Sequence, residues 1–130
     1  MNKIHILLVE NRENEIEFFI EALKESRLSF FCNTARNVDD AFKILKNATP
    51  DAVFVDAYMI KPETLDTLKK IKSAGKVPVI LYSTVRNKPH KVGLETLSYV
   101  QLPGNIQTMA HILKNLFIDN EIHNQPSTFA

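Results

Sequence analysis

Four side chains able to do chemistry stand at the ends of apolar runs. Glu10 and Asn11 follow Ile4–Val9 (Ile-His-Ile-Leu-Leu-Val), Asp56 closes Asp51-Ala52-Val53-Phe54-Val55, and Ser83 follows Val77-Pro78-Val79-Ile80-Leu81-Tyr82. Carboxylate oxygens gathered in a shallow crevice suit a hard divalent cation such as Mg2+, which is held by one or two carboxylates together with waters and phosphate oxygens. An aspartate so placed can also act as a nucleophile toward a phosphoryl group. A serine hydroxyl one strand away can donate to a phosphoryl oxygen. On this reading the set lacks a cation to balance transferred negative charge.

These residues gain a common location only if the apolar runs are neighbouring strands. Each run is short, rich in β-branched residues or leucine and bounded by polar residues, as expected for a strand covered on both faces of a parallel sheet. Leu28 to Ala35 reads as a more polar edge strand containing Phe30, Phe31 and Cys32, and Ser98 to Leu102 reads as a last short strand. Between them lie helical stripes. Ile16, Phe19, Ile20 and Leu23 recur at three- and four-residue intervals within Glu13 to Glu25; Asn37, with Asp39 and Asp40, caps a helix of about three turns bearing Val38, Ala41, Phe42, Ile44 and Leu45. A loop from Ala57 to Lys61 precedes a helix that starts at Pro62 and carries Leu65, Leu68 and Ile71, and a final stripe runs from Ile106 to Phe117.

The chain from Val85 to Leu97 is interrupted by Pro89 and Gly93 and predicts one short helix or an irregular loop, while Asp119 to Ala130 has no periodicity and predicts a flexible tail. The expected organisation is therefore a domain over 1–118 and a tail over 119–130. Strand and helix alternate five times, which predicts right-handed crossovers and helices on both faces of a parallel sheet. At this length the compact solution is a flavodoxin-like (βα)5 three-layer α/β sandwich with strand order 2-1-3-4-5. Its switch point lies between the first and third strands, so Glu10, Asn11 and Asp56 converge there, with Ser83 beside them.

Composition narrows the functional classes. The 130 residues include 16 Lys and Arg against 15 Asp and Glu, and a net charge of +1 gives no footprint for nucleic acid or an anionic membrane. The single cysteine, Cys32, excludes an internal disulfide and a cysteine-cluster metal site. No leader and no apolar run of the about 18 residues needed to span a bilayer are present, so a cytoplasmic protein is expected. His5, His90, His111 and His123 lack metal-ligand spacing and read as structural or surface residues.

The ordered set Ile-Leu-Leu-Val-Glu-Asn (Ile6–Asn11), Val-Phe-Val-Asp ending at Asp56, Val-Pro-Val-Ile-Leu-Tyr-Ser ending at Ser83 and Tyr-Val-Gln-Leu-Pro ending at Pro103 resembles the receiver domain of bacterial two-component response regulators over roughly the first 118 residues. The resemblance implies that Asp56 is the phosphoacceptor and that Glu10 and Asn11, with Asp56 and the backbone carbonyl of Tyr58, form a Mg2+ site. It implies further that Ser83 is the hydroxyl that senses the phosphoryl group and that Tyr99 is the switch aromatic. Leu102 stands where the family carries its lysine and can neither pair with Asp56 nor stabilise an acyl phosphate. Asn11 replaces an aspartate, so the Mg2+ site carries one fewer negative charge and is expected to be weak.

The function implied is a stand-alone receiver in a phosphorelay, phosphorylated by a histidine kinase or phosphotransfer protein and acting through a downstream protein partner or as a homodimer. The competing reading is a degenerate receiver that serves as a phosphorylation-independent interaction scaffold. An enzyme is not expected, because the sequence shows no Gly-rich phosphate or flavin loop and no base beside a nucleophile.

Overall fold

A computed structural model describes residues 3–75, 77–84 and 98–118. Five strands, β1 (Ile4–Val9), β2 (Phe30–Ala35), β3 (Ala52–Asp56), β4 (Val79–Thr84) and β5 (Ser98–Leu102), form one sheet in the order β2-β1-β3-β4-β5. All four pairings are parallel. The described α-helices are α1 (Glu13–Ser26), α2 (Val38–Leu45), α3 (Pro62–Ser73) and α4 (Ile106–Ile118). The order 2-1-3-4-5 and the strand–helix alternation from β1 to β4 match the expected α/β architecture. The expectations for Val85 to Leu97 and for the tail over 119–130 fall outside the described residues.

Side-chain alternation along the strands divides the core in two. Ile6, Leu8, Ala52, Phe54, Ile80, Tyr82 and Leu102 pack against Phe19, Leu23, Met109, Leu113 and Phe117 of α1 and α4. On the opposite face Leu7, Val9, Val53, Val55 and Leu81 pack against Val38, Ala41, Leu68 and Ile71 of α2 and α3. The central strands β1, β3 and β4 are covered on both faces, which accounts for their near-continuous apolar sequence. β2 is an edge strand, and its Phe31 is half exposed with its ring centroid 5.1 Å from that of His5.

Three element boundaries differ from the sequence expectation, each for a local reason. β2 begins at Phe30 rather than Leu28, because the Leu28 amide donates to Ser26 Oγ (3.2 Å) as the chain leaves α1, and Arg27 takes a left-handed conformation (φ 62°) there. β4 begins at Val79 rather than Val77; Pro78 has no amide for the ladder but its carbonyl accepts from Val53 N at 3.0 Å. α2 has eight residues rather than about three turns, since Lys46 and Asn47 close a tighter turn onto Lys43 and Ile44. Its expected cap is present: Asn37 Oδ1 accepts from Asp40 N at 2.8 Å.

Asp51, at the amino end of the third strand, is a structural carboxylate. Its Oδ2 accepts from His5 N at 2.8 Å while its own amide donates to the His5 carbonyl at 2.7 Å, tying β1 to the entry of β3. None of the described helices is long and apolar enough to cross a membrane.

Candidate functional site

The register brings Val9 opposite Val55 and Asp56 opposite Tyr82, so β1, β3 and β4 deliver their carboxyl ends to one place. Glu10, Asp56 and Tyr82 extend the alternation of Leu8, Phe54 and Ile80, and all three side chains are buried. Glu10 is anchored by its own amide, which donates to Ala35 O at 3.0 Å. Its Oε1 accepts from the Tyr82 hydroxyl at 2.6 Å, and its Oε2 accepts from the amides of Asn11 (3.1 Å) and Arg12 (3.2 Å).

Asp56 ends β3 and caps the 3-10 turn Ala57–Met59 that occupies the start of the expected loop. Its Oδ1 accepts from Tyr58 N at 2.9 Å and its Oδ2 from Arg12 Nη2 at 2.6 Å. Arg12 also places Nε 3.4 Å from Glu10 Oε2 and Nη2 3.8 Å from Glu15 Oε1. The expectation that the crevice lacks a cation is therefore corrected. The guanidinium comes from the residue just before α1, on the opposite side of Asp56 from β5.

The electrostatics follow from burial and this pairing. Burial raises the Glu10 carboxyl above its ordinary value and nearby Asp56 adds to the rise, while the Tyr82 hydroxyl and the Arg12 amide pull it back. Burial, then the negative charge of Glu10, pushes the Tyr82 phenol above its ordinary range, so the hydroxyl remains a donor. Burial works against the Arg12 charge, but Asp56, Glu10 and Glu15 outweigh it and hold the guanidinium protonated.

Ser83 and Tyr99 form a second group. The Ser83 Oγ and the Tyr99 hydroxyl are hydrogen-bonded to each other, Ser83 being buried and Tyr99 packing partly against the α2–α3 face. Ser83 lies one residue beyond Tyr82, the partner of Asp56 in the ladder. Leu102 is fully buried in the α1–α4 core with Tyr82 and Met109, so its side chain contributes packing and no charge.

The donor set can be tested against a divalent ion. Among the described residues no group of three His, Cys, Asp or Glu side chains is arranged to hold a metal. Of the four expected ligands, Asn11 is exposed and meets Glu10 through its backbone amide. The Glu10 and Asp56 oxygens already accept from Tyr82, Arg12 and backbone amides. While Arg12 is in place this arrangement does not fit a divalent ion.

Arg12 and Tyr82 are the two site residues that sequence reasoning missed. The available signals were a long cationic side chain directly after Glu10-Asn11 and a single phenol in an otherwise aliphatic strand next to Ser83. Beside Asp56 opens a cavity of about 390 Å³, with Asn11, Arg12, Arg36 and Lys61 on its wall.

This sheet order is the fold of solved response-regulator receivers. The phosphorylated cyanobacterial phytochrome response regulator RcpA superposes with a TM-score of 0.69 at 24% identity, covering 93% of this chain and 94% of that one. A response regulator from Thermotoga maritima gives 0.70 at 18% identity over 88% and 98% of the two chains, and the chemotaxis response regulator CheY4 of Vibrio cholerae gives 0.68 at 16% over 88% and 99%. In sequence, the chain is 34% identical over 84 residues to the Probable C4-dicarboxylate response regulator DctR of Bacillus subtilis, spanning 64% of this chain and 33% of that protein. A protein-glutamate methylesterase/protein-glutamine glutaminase of Halalkalibacterium halodurans is 28% identical over 83 residues, 64% of this chain and 24% of that one. The chain thus spans about a third or less of the length of these curated relatives. No protein-family model matches it.

Proposed function

We propose that the chain is a receiver module in two-component signalling in which Asp56 accepts a phosphoryl group from a histidine kinase or phosphotransfer protein. The signal then leaves through contact with a downstream protein. The observation that carries this reading is Asp56 at the carboxyl end of the central strand β3, its two oxygens on the Tyr58 amide and the Arg12 guanidinium. In the transfer an Asp56 oxygen forms a bond to phosphorus and the bond from phosphorus to the donor breaks. With acetyl phosphate the products are an aspartyl phosphate and acetate. Arg12 is positioned to offset the added charge, a task that Leu102 cannot perform. The Ser83–Tyr99 hydroxyl pair at the next strand end is the candidate element that registers the phosphoryl group. Among the described residues no base stands beside a separate nucleophile, and the module is read as a non-enzymatic cytoplasmic domain.

A second reading, a phosphorylation-independent interaction domain, is favoured by the buried, uncharged Leu102 at the end of β5. Incubation with acetyl phosphate followed by intact-mass measurement separates the two. The proposal expects one phosphoryl group on the wild type and none on Asp56→Asn. A folded wild type that stays unmodified at saturating donor, with and without millimolar Mg2+, overturns it in favour of the interaction domain.

A further inference from the structure

Two carboxylates, Glu10 and Asp56, are buried side by side at the strand ends. Buried negative charges facing each other are costly unless a cation stands between them or one takes a proton. The cation present is a side chain. Arg12 lies within 3.4 Å of Glu10 and 2.6 Å of Asp56 through two different nitrogens, and reaches toward Glu15 at 3.8 Å. Arg36, also on the cavity wall, is bound to Glu13 at 2.9 Å and does not take this place.

We propose that Arg12 is the resident cation of this site, neutralising Glu10 and Asp56 where a divalent ion would otherwise stand, so that such an ion binds only by displacing it. The inference rests on reading this crevice as a receiver's acidic site, but it does not require Asp56 to accept a phosphoryl group. A guanidinium can spread two or more hydrogen bonds over neighbouring carboxylates in a fixed fork, matching the double contact seen here. Its location makes displacement feasible. The Arg12 side chain is 41% exposed at the crevice mouth and serves as the N-cap residue of α1 through its backbone, its carbonyl accepting from Glu15 and Ile16 amides at 3.0 Å. The side chain can therefore swing into solvent while the helix start stays formed. When it leaves, Glu10 and Asp56 present the two carboxylates that a hard cation prefers.

The test is a titration with Mg2+ by calorimetry and with Mn2+ by water-proton relaxation on the wild type, Arg12→Ala, Arg12→Gln and Arg12→Lys. The expected result is at least tenfold tighter binding of either ion to Arg12→Ala and Arg12→Gln than to the wild type, with Arg12→Lys falling between them and the wild type. The gain should vanish in Arg12→Ala/Glu10→Gln. Melting temperature gives a second readout: Mg2+ should raise that of the two neutral variants and leave the wild type almost unmoved. If the neutral variants unfold without metal, their refolding on addition of Mg2+ is the expected result. Wild-type affinity equal to that of Arg12→Ala, folded neutral variants that bind no tighter, or neutral variants that stay unfolded at every Mg2+ concentration would each overturn the inference. Failure of acetyl phosphate to modify Asp56 would leave these titrations unaffected, so the two readings fail separately.

Discussion

Arg12 Nη2 sits 2.6 Å from Asp56 Oδ2, a charge-assisted contact between the residue preceding α1 and the last residue of β3, 44 positions away in sequence. It fixes the orientation of the carboxylate, since the other oxygen is held by the Tyr58 amide. It also supplies positive charge from the β1 side of the crevice, whereas the β5 side presents the apolar Leu102.

Tyr82→Phe should destabilise the protein by about 1–3 kcal/mol, because it keeps the ring but leaves a buried Glu10 oxygen without its donor. The ring's packing, with its centroid 5.6 Å from that of Phe19, is retained by the substitution. Urea denaturation checks this, and a neutral outcome would mean that Glu10 Oε1 finds another donor.

Leu102 is fully buried, so its role is read as packing. Leu102→Met should cost less than about 1.5 kcal/mol as a volume-conserving change. Leu102→Lys should cost more than about 2 kcal/mol, since it brings an ammonium into an apolar cluster. Thermal or urea melts of the two variants decide it; equal stabilities would show that a lysine at this position reaches solvent or the carboxylates at no cost.

Cys32 carries a thiol that burial pushes up to about 11 from its ordinary 9.0. Native protein should therefore react slowly with a thiol reagent at pH 8 compared with protein unfolded in urea. The raised value belongs to the folded state, so the unfolded chain loses its proton first. Stability due to the neutral thiol is fully present below about pH 9 and is lost as pH rises toward about 11. Comparing wild type with Cys32→Ala across that window isolates this contribution from the lysines and tyrosines that titrate nearby. Identical slopes would contradict it.

The strands were legible because Ile4–Val9, Ala52–Asp56 and Val79–Thr84 open as apolar runs that stop on polar residues, and buried parallel strands need that pattern, while their order followed from the strand–helix alternation at this length. The same logic located Glu10 and Asp56. Arg12 was not legible as a site residue because an arginine after a strand is ordinarily solvated, and only the pairing of β1 with β3 brings it to Asp56. Tyr82 was hidden for the opposite reason. Within a buried run a phenol reads as core, and the alternation that points its hydroxyl toward Glu10 depends on a sheet register that a single sequence does not display. The early start expected for β4 arose from Val77 and Pro78, whose apolar character continues the run although proline contributes no ladder amide.

The claim that Arg12 is the cation held against Asp56 is tested most directly by a double-mutant cycle of wild type, Arg12→Ala, Asp56→Asn and the double variant, read by urea denaturation without divalent ions. The account predicts a favourable coupling above about 1 kcal/mol, as for a hydrogen-bonded charge pair with one partner buried. Additive effects, agreeing within about 0.5 kcal/mol, would contradict it.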